Sequence, residues 1–113
     1  MVTLANVDKQ MIANNLKPFQ PSHPGELLKE ELEFRGISQR GLAKKLGISY
    51  SVLNEVLNCK RALGTELAMM MAAALDIEAA PLLAMQNEYN MLMAERDVSF
   101  MTRLKKIRHI AAL

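Results

Sequence analysis

The side chains suited to chemistry in this sequence are suited to recognition rather than to bond making. Tyr50, Ser51, Asn54 and Glu55 recur at helical spacing and combine hydrogen-bond donors with acceptors, the inventory with which a helix reads base-pair edges. Gln39, Arg40, Lys44, Lys45, Ser49, Lys60 and Arg61 lie around them in sequence, and such cationic or polar groups hold phosphate oxygens. No catalytic set accompanies them. His23 and His109 stand at opposite ends of the domain, Cys59 has no base beside it in sequence, and neither a glycine-rich phosphate loop nor a paired-cysteine metal motif occurs. The expectation is a binding protein and not an enzyme, with no cofactor and no metal.

These residues need two short helices to position them, and residues 38–60, SQRGLAKKLGISYSVLNEVLNCK, supply the pattern. Ser38 is a good N-cap before the periodic Leu42, Ala43 and Leu46, which predicts a helix from Gln39. Gly47 ends that helix, because the left-handed residue after a helix is most cheaply a glycine. Ser49 then caps a second helix from Tyr50, in which Val52 or Leu53, Val56 and Leu57 turn inward. Tyr50, Ser51, Asn54 and Glu55 are left outward. Two helices joined by a tight turn, the second with a polar outer face, is the arrangement that enters a DNA major groove.

The rest of the chain reads as support for this pair. At 113 residues, 50% hydrophobic and 4% aromatic, with apolar residues at helical spacing, one all-α domain is expected. The segment HPGELLKEELEFRG predicts a first helix over Pro24–Arg35, with Ser22 or His23 as cap, Pro24 at the first position and Gly36 as the stop. Leu27, Leu28, Leu32 and Phe34 are its apolar residues. A lone His23 with no second ligand at metal spacing is read as a cap. Gly64 or Thr65 caps a fourth helix through Leu75, with Leu67, Met70, Met71 and Leu75 facing the core. A fifth starts near Ala79, tolerates Pro81 in its first turn, and runs through Leu82, Leu83, Met85, Tyr89 and Met93. Those apolar residues exceed what one small domain covers, so they are assigned to a homodimer seam.

Domain limits follow: residues 1–21 form an arm and proline-containing linker, 22–93 the DNA-binding domain, and 94–113 a basic amphipathic tail. In the arm, Leu4, Val7, Met11 and Ile12 line one side of a helix too short to be stable alone, so it either frays or orders on a partner. In the tail, Val98, Met101, Leu104, Ile107 and Ile110 alternate with Arg103, Lys105, Lys106 and Arg108. That spacing permits a helix whose basic face is either merely solvated or a contact surface. The net charge of +2 implies no polyanion partner by itself. Its distribution does, since Glu26, Glu30, Glu31 and Glu33 crowd the first helix while the basic residues flank the recognition helix. A single cysteine, no signal peptide and no apolar run of about 18 residues predict a soluble cytoplasmic protein without membrane contact.

The spacing of Gln39, Ala43, Gly47, Ile48, Leu53, Leu57 and Asn58 resembles the Cro/repressor-like (XRE) helix-turn-helix family. The HPGE start followed by that motif and an LNCKRAL segment is similar to HigA-type antitoxins. The resemblance implies a five-helix domain with an N-terminal arm and a C-terminal tail. It also implies binding to double-stranded operator DNA, repression of the chain's own operon, and neutralisation of a HigB-type toxin, a ribosome-dependent mRNA endonuclease. The arm residues Leu4, Val7, Met11 and Ile12 are assigned to the toxin, with the basic tail as the other candidate. The alternatives are a stand-alone XRE-type regulator and a helical interaction protein that has lost its DNA role. The sequence departs from the family at Gly41, which costs ~1 kcal/mol against Ala inside a helix, at Cys59, where a glycine usually follows Asn58, and at Thr65, where a proline is usual.

Overall fold

Local capping chemistry sets where each helix starts and stops. The computed structural model describes residues 21–108, and these hold α1 (Pro24–Arg35), α2 (Gln39–Leu46), α3 (Tyr50–Leu57), α4 (Thr65–Leu75), α5 (Ala79–Glu95) and α6 (Val98–Ile107). His23, Ser38, Ser49 and Asp97 cap α1, α2, α3 and α6 with side-chain acceptors. Gly47 closes α2 in the left-handed conformation, at φ 74°. The same conformation is adopted without glycine at Asp76, φ 58°, which ends α4, and at Cys59, φ 64°. Cys59 therefore carries a left-handed backbone that costs an L-residue roughly 1–2 kcal/mol, which accounts for the glycine usual at that position.

Leu28 and Leu32 of α1, Leu42 and Ala43 of α2, Leu53, Val56 and Leu57 of α3, and Ala68, Met71 and Leu75 of α4 make one core. Each large side chain fully buried there contributes about 1.5–3 kcal/mol relative to exposure. The fold is all-helical among the described residues, as the periodicity implied. Within the expected tail Val98–Ile107 form a sixth helix, while His109 and Ile110 lie outside the described residues. It buries no residue of its own, so it adds an amphipathic face rather than core.

Several side chains sit elsewhere than expected. Phe34 is 87% and Leu27 46% exposed, because each lies more than a right angle around α1 from the inward pair Leu28 and Leu32. In α4, Met70 is only half-buried, whereas Ala68 and Ala72 are buried; small residues let this helix approach closely, and half-buried Leu67 packs against the core as expected. Leu82 is a correction to the dimer assignment: at 3% exposure it belongs to this chain's own core and offers no surface to a second copy. Leu83, Met85 and Tyr89 stay half-buried and Met93 is exposed.

Candidate nucleic-acid interface

The turn between α2 and α3 is closed by Gly47 and by a bond from the Ile48 amide to the Ala43 carbonyl, 3.0 Å. Ser38 Oγ accepts from the Gly41 amide at 2.9 Å and Ser49 Oγ from the Val52 amide at 3.1 Å. Ser49 remains exposed, so its hydroxyl proton is available to an incoming acceptor while its oxygen caps the helix.

The outer face of α3 is already wired to α2. Asn54 Nδ2 donates to Gln39 Oε1 at 3.0 Å and lies 3.4 Å from the Tyr50 hydroxyl. The Arg40 guanidinium stacks on the Tyr50 ring, 4.1 Å from its centroid. Gln39, Arg40, Tyr50 and Asn54 thus form one cluster. Ser51 stands exposed beside it, and Lys44 and Lys60 are exposed; Lys45 is exposed too but turns toward α4, where it lines a groove with Met70, Ala73 and Ala74. Glu55 is half-exposed and engaged by Arg61, 2.8 Å away. Such a pair is worth at most about 1 kcal/mol, so Arg61 can turn to a phosphate at little cost.

Two further contacts were invisible in the spacing. Asn58 donates to the Asn54 carbonyl and accepts from Lys29 Nζ at 3.0 Å, which ties α1 to the end of the recognition helix. Gln86, buried in α5, accepts from the Leu63 amide at 2.8 Å and donates to Asn90, satisfying the loop behind α3. The only sequence signal for either was a lone lysine or glutamine among residues of another character.

Behind the interface lies the His23 junction. His23 Nδ1 accepts from the Gly25 amide at 2.8 Å, the imidazole bonds the Arg61 backbone, and Tyr89 packs edge-on at 4.8 Å. Cap, post-recognition loop and α5 therefore meet on one ring. Burial lowers the imidazole pKa, opposed by the Arg61 hydrogen bond and the Glu26 carboxylate. Cys59 lies in the same cavity, and burial raises its thiol pKa first and foremost, which leaves it protonated and a poor nucleophile. Among the described residues no group of His, Cys, Asp and Glu is arranged to hold a metal ion.

The His23 shift has a stability consequence with a definite sign. A depressed folded-state pKa means that the unfolded chain takes up the proton first. The stabilisation is therefore complete above the ordinary imidazole value of about 6.5 and fades as pH falls below it toward the folded value. Thermal melts are expected to show a Tm that drops between about pH 7 and 5, and His23→Asn, which keeps a capping oxygen but no titrating ring, is expected to flatten that drop. An unchanged pH profile in the variant would remove His23 as its cause.

A helix-turn-helix family model matches residues 28–82. Virulence-associated protein I of Dichelobacter nodosus is 38% identical over 76 residues, covering 66% of this chain and 70% of that protein. An addiction module antidote protein of the HigA family from Coxiella burnetii superposes with a TM-score of 0.67 at 30% identity, over 78% of this chain and 95% of that one. The Pseudomonas aeruginosa antitoxin HigA, solved with the higBA promoter, gives a TM-score of 0.64 at 27% identity over 80% and 94% of the two chains. No helix among the described residues is long and apolar enough to cross a membrane. With its motif, helix order and these relatives in agreement, the chain belongs to the Cro/repressor-like helix-turn-helix family and, within it, to the HigA-type antitoxins, a family of DNA-binding proteins rather than enzymes.

Proposed function

We propose that the protein is an antitoxin that binds double-stranded operator DNA to repress its own operon and neutralises a HigB-type mRNA endonuclease. The observation that carries the DNA half is the cluster on the outer face of α3, where Asn54 is held by Gln39 and Tyr50 beside an Arg40 guanidinium. In this reading Tyr50, Ser51, Asn54 and Glu55 meet base edges. Gln39, Arg40, Lys44, Lys45, Ser49, Lys60 and Arg61 meet phosphates. The likeness to an antitoxin solved with its promoter supports the same assignment.

The active form in this proposal is a cytoplasmic homodimer paired through Leu83, Met85, Tyr89 and Met93 of α5, without Leu82. Exposed Met91 lies about 160° around α5 from Met93 and lines a separate groove with Phe100, Met101 and Leu104 of α6. Two recognition helices then address successive major grooves, ~34 Å apart. The proposed toxin contacts Leu4, Val7, Met11 and Ile12 fall outside the described residues.

Footprinting of the chain's own promoter, coupled to co-expression with the neighbouring open reading frame, tests the whole reading. Two half-sites one helical turn apart and rescue of growth are expected, with rescue lost when residues 1–17 are deleted and operator binding kept. Rescue by that truncated chain removes the arm from the toxin contact. Operator binding with no toxic neighbour makes the protein a stand-alone regulator.

A further inference from the structure

We propose that the outer face of α1 is where the toxin docks, and that it accepts a basic surface with an apolar residue at its centre. The inference rests on the antitoxin reading and names a surface contiguous in sequence with the arm. At 100° per residue, Leu27, Glu30, Glu31 and Phe34 fall within about 100° of one another on the helix. Phe34 is 87% exposed and Leu27 46%, so this helix presents large apolar groups to water among carboxylates. Beside them opens a groove of about 370 Å³, where Leu27 and Glu31 face Ile77, Glu78 and Pro81. Glu31 is paired with Arg35 at 2.8 Å; Glu30 and Glu78 make no salt bridge among the described residues. Exposed apolar residues rimmed by charge mark contact sites.

The sign of the charge selects the occupant. DNA and anionic membranes are repelled by these carboxylates, and a second copy offering the same face would set glutamate against glutamate. A nuclease must carry cationic groups to hold RNA phosphates, so its surface is complementary to this one. The position fits as well. Lys29, which reaches Asn58 at the end of the recognition helix, lies about 140–160° around α1 from Leu27 and Phe34. A protein seated on the outer face therefore leaves α3 open to DNA.

The test uses the full chain with Glu30→Lys and Phe34→Ser made separately, titrated calorimetrically against the purified product of the neighbouring open reading frame. Operator affinity and sedimentation are measured alongside. Each substitution is expected to weaken partner binding at least about tenfold, as central apolar anchors and complementary charges do, with operator affinity unchanged. The Glu30→Lys deficit is expected to shrink as salt rises. Wild-type affinity in both variants overturns the assigned face and leaves the antitoxin reading standing. No binding by the wild-type chain overturns both. A variant that turns a dimer into a monomer assigns the face to a second copy, through its basic α6, and overturns the proposal.

Discussion

Asn54→Ala is expected to weaken operator binding by about 1–3 kcal/mol while leaving binding to random DNA nearly unchanged. The asymmetry follows from what the amide can do. Asn54 Nδ2 is occupied by Gln39 Oε1 at 3.0 Å, so the side chain is held in one orientation before DNA arrives and loses little rotamer freedom on binding. One Nδ2 hydrogen stays on Gln39, and the second, which makes only a long 3.4 Å bond to the Tyr50 hydroxyl, can turn to adenine while Oδ1 accepts; an alanine offers neither group. Lys44→Ala is the contrasting case. Lys44 is exposed and lies about 40° around α2 from Arg40, so in the proposed reading it acts on phosphate by charge alone. Its removal is expected to weaken operator and random DNA alike and to lower the salt slope by about one ion. Gel-shift titrations on both DNAs at several salt concentrations separate the two behaviours. Equal losses for Asn54→Ala on both would remove it from the readers. A thermal melt guards the interpretation, since the part-buried bonds lost with Asn54 are worth about 1 kcal/mol each of stability.

Helix limits were legible because they are written in single residues next to the helices they cap. Ser38, Ser49, Gly36 and Gly47 each act within a few residues of themselves, so a linear reading reaches them. What a linear reading cannot reach is which way a helix is turned. Phe34 was grouped with Leu32 as apolar, yet a two-residue step on a helix carries it about 200° around, out of the core and into water. Leu82 failed in the opposite direction. It was grouped with the apolar residues of α5 as a seam, but α5 packs on α1 and α4, and that contact claims Leu82. Of the candidate interface, the residue types were visible and their wiring was not. The Gln39 to Asn54 bond crosses the turn, Arg61 returns to Glu55, and Arg35 reaches the Leu75 carbonyl at 2.8 Å from a different helix. The first and last depend on the angle at which two helices meet and the Arg61 contact on how the loop folds back on α3, none of which capping residues specify.

Gly25→Ala is expected to destabilise the domain by about 1–3 kcal/mol, the usual cost of overpacking a filled site. The cause is a backbone contact. A β-carbon on Gly25 would fall on the Val56 carbonyl oxygen, and that same oxygen accepts the Cys59 amide at 3.0 Å. Neither side can yield by a rotamer change, since Val56 lies on α3 and its carbonyl holds the turn that Cys59 makes with positive φ. Helix propensity works the other way and favours alanine by up to about 1 kcal/mol, so the clash has to win for the expectation to hold. Gly41→Ala supplies the comparison. There the new β-carbon meets only Ser38 Oγ, at 2.9 Å, the end of a side chain that can rotate, and the propensity gain offsets a weakened cap. Melting curves are expected to show a lowered Tm for Gly25→Ala, with Gly41→Ala within a few degrees of wild type. A Gly25→Ala protein as stable as the wild type would mean that α1 is not seated on the Val56 carbonyl. Both faces assigned above would then lose their fixed relation, because the acidic outer face of α1 and the reading face of α3 are oriented to one another through this seat.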